Sequence, residues 1–177
     1  MRFARVLLVV ACLGCGLALA APAGEEDFNR GYDAFLAGKY SEAASWWTKA
    51  AKQGHARAQN GLGVLYRDGD GVAKDAKQAV YWLRQSAENG YAFGMFNLAR
   101  IYAEGNGVPR DDVEAHKWLN IASSINFDEK AAFERELVAR RMSRQQIAEA
   151  ERRAQDWINR FFFGAQAQKA GEKKRGP

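Results

Sequence analysis

Threonine occurs once in this 177-residue chain, at Thr48, and beyond position 20 only eleven valines and isoleucines remain. Strands draw on β-branched side chains, so the composition argues against a sheet and for an all-α protein. Proline is as scarce: between Pro22 and Pro177 there is only Pro109, leaving glycine, with 17 copies, to punctuate the helices. Cysteine appears only as Cys12 and Cys15, and histidine only as His55 and His116. Neither histidine has a second histidine or a cysteine at ligand spacing, so no transition-metal site is expected.

Charge of one sign is also missing from the body of the chain. The net +5 resides at the ends, in Arg2 and Arg5 and in Lys169, Lys173, Lys174 and Arg175 against Glu172, and the span between is neutral. A basic nucleic-acid-binding face is therefore not implied. With 47% hydrophobic and 12% aromatic residues there is enough apolar material for one buried core.

Residues 1–20, MRFARVLLVVACLGCGLALA, place two arginines before an apolar stretch that ends in small residues. This order has the form of a bacterial secretory signal, with cleavage expected after Ala20 or Ala23. The exported, periplasmic chain then has no cysteine, which excludes disulfides, thiolate metal sites and a cysteine nucleophile. The strings VVAC and CLGC leave lipid anchoring in the envelope as the alternative.

What is abundant is internal repetition. Residues 55–90 and 91–126 align without a gap and share ten identities, against roughly two or three for unrelated segments. Among them are Leu62/Leu98, Tyr66/Tyr102, Gly69/Gly105, Gly71/Gly107, Ala79/Ala115 and Trp82/Trp118. A shorter copy, 27–54, precedes them, since Ala43, Trp46 and Gly54 stand thirty-six positions before Ala79, Trp82 and Gly90. Each copy reads as two antiparallel helices. The second helix carries an i, i+3, i+4 stripe such as Ala79, Trp82 and Leu83, and Asp75 and Asp111 start it as capping boxes with Gln78 and Glu114. Gly54, Gly90 and Asn126 occupy the matching stops, where a left-handed residue is expected.

LGxxY at Leu62 to Tyr66 and GDGV at Gly69 to Val72, followed by Asp75, Ala79 and Trp82, closely resemble the Sel-one-like repeat family, relatives of tetratricopeptide repeats. The resemblance implies a right-handed α-solenoid of antiparallel helix pairs that binds other proteins, with no cofactor. Residues 127–163 are expected to cap it as two helices: one near 128–142 with Phe133 and Leu137 on a shared face, and one opening with Ser143 and Gln146 and carrying Ile147, Ala154, Ile158 and Phe161. Residues 164–177 read as a disordered basic tail.

No catalytic constellation stands out. DGDGVAKD lacks the spacing and terminal glutamate of a calcium loop, GLGVLY lacks a nucleotide fingerprint, and the serines have no histidine partner or nucleophile elbow. The chain is thus read as a non-enzyme, with an envelope hydrolase or a membrane-surface structural protein as the competing classes. The family pattern puts Tyr32, Asn60, Val64, Arg67, Phe96 and Arg100 on the concave groove as protein-contact candidates, each of which reads equally as packing against a neighbouring helix. Trp46, Trp82 and Trp118, together with Tyr66 and Tyr102, are read as structural. WINRFFF, 157–163, followed by basic residues, suggests either folding back on the last repeat or a peripheral membrane contact.

Overall fold

The computed structural model describes residues 23–126 and 129–173; the expected signal segment at 1–20, with Cys12 and Cys15, and residues 174–177 lie outside the described residues. Eight helices follow one another: α1 (Glu25–Leu36), α2 (Tyr40–Lys52), α3 (Ala56–Asp68), α4 (Ala76–Glu88), α5 (Ala92–Glu104), α6 (Asp112–Asn126), α7 (Glu129–Ala139) and α8 (Arg144–Lys173). They pack pairwise as α1/α2, α3/α4 and α5/α6, each pair resting on the next, so the chain is an all-helical repeat solenoid. No described helix is long and apolar enough to cross a membrane.

Local chemistry explains the boundaries. Asp75 accepts the N–H groups of Lys77 and Gln78 at 2.9 and 3.1 Å, and Asp111 accepts that of Glu114 at 3.0 Å. These caps are one-sided rather than full capping boxes. The N–H groups of Asp75 and Asp111 already donate across the hairpin to the carbonyls of Tyr66 and Tyr102, at 2.9 and 3.0 Å, so Gln78 and Glu114 are not needed there. Ser143 and Gln146 do form the reciprocal pair, at 3.3 and 2.9 Å. Gly54 and Gly90 take φ of +86° and +82° just beyond α2 and α4. Asn126 departs from this expectation, because α6 runs on through it. Asparagine lacks glycine's free access to the left-handed region, and here the chain leads into α7 instead of another repeat.

Two apolar clusters form the core. One gathers Phe28, Trp47, Leu62 and Leu65; the other gathers Leu83, Met95, Leu98, Trp118 and Ile121, and Tyr66 packs against both. The indole of Trp47 is seated between glycines of two helices. A Cβ on Gly61 would fall 2.7 Å from its ring and one on Gly31 would overlap it outright, while its Nε1–H donates to the Phe28 carbonyl at 3.2 Å. Leu83 takes the corresponding seat on Gly63, one period later.

The three periodic tryptophans do not share one environment. Trp118 is fully buried, but Trp82 is only partly buried against the first cluster, and Trp46 is likewise only partly buried, with the Lys49 ammonium 3.9 Å and the Arg30 guanidinium 4.9 Å from its ring. Burial at this position depends on what lies over the second helix of the pair, and α8 supplies that cover for Trp118.

The capping helices differ from expectation in two respects. On α7 the buried stripe is Ala131 and Val138, two turns apart, whereas Phe133 and Leu137 are exposed. The backbone of α8 continues through Gly164 to Lys173, where a tail without regular structure is expected. Alanine, glutamine, lysine and glutamate there favour helix by intrinsic propensity without an amphipathic pattern.

The contrast between the tryptophans is measurable. Trp118→Ala should cost about 3–5 kcal/mol in urea unfolding and Trp46→Ala about 1 kcal/mol; similar costs at the two sites would contradict the assigned packing.

Candidate protein-binding surface

The first helices of the pairs, α1, α3 and α5, carry the six contact candidates. Direct packing of α3 on α5 lets polar side chains of different repeats meet. The Asn97 amide donates to Asn60 Oδ1 at 2.9 Å, and the Asn97 oxygen accepts Arg67 Nη1 at 3.5 Å. Arg67 also grips Asp68 through two bonds of 2.7 Å. One turn of α5 further on, Arg100 pairs with Glu104 at 3.0 Å.

Electrostatics tie these groups into one strip. The Arg67 hydrogen bond, followed by charge attraction from Arg67, Lys74 and Arg100, holds the Asp68 carboxyl below its usual 3.8 despite an opposing contribution from burial. Asp68 and, through charge, Glu104 raise Arg67 in turn. Arg67 and Asp68 therefore stay an ion pair at neutral pH. The strip can offer amide donors and acceptors to a peptide backbone and guanidinium groups to a carboxylate.

The remaining candidates separate. Tyr32 is 44% exposed on α1 and stacks on Phe28. Val64 is partly buried on α3. Phe96 is 8% exposed and packs in the core, with the Lys130 ammonium of α7 5.2 Å from its ring, so it is a core residue rather than a contact. An aromatic side chain on the same face as a following capping helix is covered by that helix, which a single-repeat pattern does not convey.

Asn97 is the residue of the candidate surface that sequence reasoning missed. It stands thirty-seven positions after Asn60, one off the period, so aligned copies set Asn60 against Phe96 instead. His55, considered only as a metal ligand, is a helix cap. Its Nδ1 accepts the Ala58 N–H at 3.2 Å, which leaves the proton on Nε2 to meet Glu25 at 2.9 Å. That hydrogen bond is the main reason the Glu25 carboxyl sits below its usual value. The aromatic end of α8 divides: Trp157 meets Trp118 edge-on at 5.8 Å and stacks with Phe161, whereas Phe162 and Phe163 are exposed. No group of three metal-ligating residues occurs among the described residues.

The Asn60–Asn97 bond links adjacent repeats. In a double-mutant cycle of Asn60→Ala and Asn97→Ala, a coupling of about 0.5–1.5 kcal/mol in thermal or urea unfolding is expected, and strict additivity would remove the bond from the account.

Comparison with known proteins agrees with this geometry. The Sel1 repeat model matches residues 34–55, 56–91 and 92–126, together more than half of the chain. The solved structure of a Sel1 repeat protein from Oxalobacter formigenes is 32% identical over 64% of this chain and 89% of that one, with a TM-score of 0.57. That of c5321, a protective antigen present in uropathogenic Escherichia coli strains and displaying an SLR fold, is 30% identical over 87% of this chain, with a TM-score of 0.75. The present chain spans 33% of the length of that structure. No curated protein matches the chain. With its periodic residues, its paired helices and these likenesses in agreement, the chain belongs to the Sel1 repeat family.

Proposed function

We propose that the protein is a non-catalytic adaptor of the cell envelope that holds a protein or peptide along α1, α3 and α5. The observation that carries this reading is the strip from Asn60 through Asn97 to Arg67, continued by Arg100 and Glu104, in which side chains from two repeats present one ordered set of donors and acceptors. Such a strip meets an extended ligand at repeat spacing, and Tyr32 adds an exposed ring at its N-terminal side. Its carboxylates are held by guanidinium groups, which suits recognition better than acid–base chemistry. Export rests on the order of charges and apolar residues in 1–20, with lipid anchoring at the early cysteines as its alternative. A membrane role is the weaker reading, because Trp157 is buried against Trp118 and Phe161 stacks on it and lies over Gly90, which leaves Phe162, Phe163 and the exposed edge of Phe161 for a bilayer.

The test is crosslinking in envelope preparations with the wild type and with Arg67→Glu and Arg100→Glu, each checked for wild-type helicity. The expected result is loss of a specific crosslinked partner in both variants. An unchanged set of crosslinked species would reject this surface.

A further inference from the structure

The thirty-six-residue period builds the seat of α8 twice. α8 runs along α6 in the same direction, with Arg153 pairing with Glu114 at 3.1 Å and Trp157 edge-on to Trp118. At the end of α4 the Trp157 Nε1–H donates to Glu88 at 2.7 Å, and Phe161 lies over Gly90, where a Cβ would come 2.5 Å from its ring. One period earlier the positions of Glu114, Trp118, Glu88 and Gly90 are held by Gln78, Trp82, Lys52 and Gly54.

That earlier seat is vacant among the described residues. A Cβ on Gly54, whose φ matches that of Gly90, would meet no atom within 4 Å. Tyr81 is 51% exposed where its counterpart Lys117 is 9% exposed.

We propose that the furrow between α2 and α4 binds an amphipathic helix of a partner protein. This helix would carry two aromatic residues four apart, as Trp157 and Phe161 are, and a carboxylate at the place of Arg160. Charge selects this occupant. In the filled seat Arg160 lines one cavity with Glu88, Trp157 and Phe161. In the vacant seat Lys52 replaces Glu88 and has no ion pair among the described residues. A second copy's α8 would set Arg160 against Lys52 and Arg153 against the neutral Gln78, a like-charge contact and a lost ion pair, so an acidic helix is favoured over self-association.

The probe is a fluorescein-labelled peptide of residues 144–163 carrying Arg153→Gln and Arg160→Glu, titrated against the full chain by anisotropy. It should bind about tenfold more tightly than the peptide of unaltered sequence, and Lys52→Glu in the protein, at an exposed position, should reverse the order. A photocrosslinker in place of Phe161 of the probe should attach near Gly54. Absence of binding, equal binding of the two peptides, indifference to Lys52→Glu, or attachment to α3 and α5 would each overturn the proposal.

Discussion

The structure depends on one steric constraint, a bulky side chain of one helix seated on a residue without a side chain in the next. Trp47 occupies such a seat between Gly31 of α1 and Gly61 of α3, and Leu83 repeats it on Gly63. Only glycine lets the helices approach closely enough for these contacts, and close packing turns that approach into a fixed register. The register then sets the spacing between first helices at which the Asn97 amide reaches Asn60 and Arg67 reaches Asn97. The proposed ligand strip is thus a consequence of core packing.

The features legible in the sequence are those decided locally. The period, the three helix pairs and the left-handed stops at Gly54 and Gly90 follow from side chains that act within a turn or two. The Ser143–Gln146 box is of the same kind. Identical residues at equivalent positions then diverged wherever a third element intervened. Trp118 and Trp46 share a place in the repeat, yet α8 covers one and leaves cations over the other. Phe96 fell in the core for the same reason, with α7 beside it. Asn97 escaped notice because it lies one residue off the period that made the other positions visible.

The end of the solenoid is closed by specific chemistry as well as by apolar cover. Arg141 pairs with Asp112 at 2.8 Å and donates to the Ala103 carbonyl, and Arg153 joins Glu114 to Glu149. These contacts to the last repeat fix α8 in one furrow, where Glu88 and Glu114 welcome its positive residues. His116 lies beneath the same cap, 4% exposed, with its Nδ1 unpartnered among the described residues. Burial, and then the Arg135 charge, push its pKa below the usual 6.5 against the pull of Glu151, so the ring is neutral in the folded chain at physiological pH.

The seating of Trp47 is the element on which register, strip and furrow all rest, and a double-mutant cycle tests it most directly. Gly31→Ala in the otherwise unaltered chain should lower stability by about 1–3 kcal/mol in urea. In a Trp47→Ala background, which removes the ring that Gly31 seats, most of that loss should vanish. An equal loss in both backgrounds would show that the indole does not occupy the glycine seat and would contradict the account.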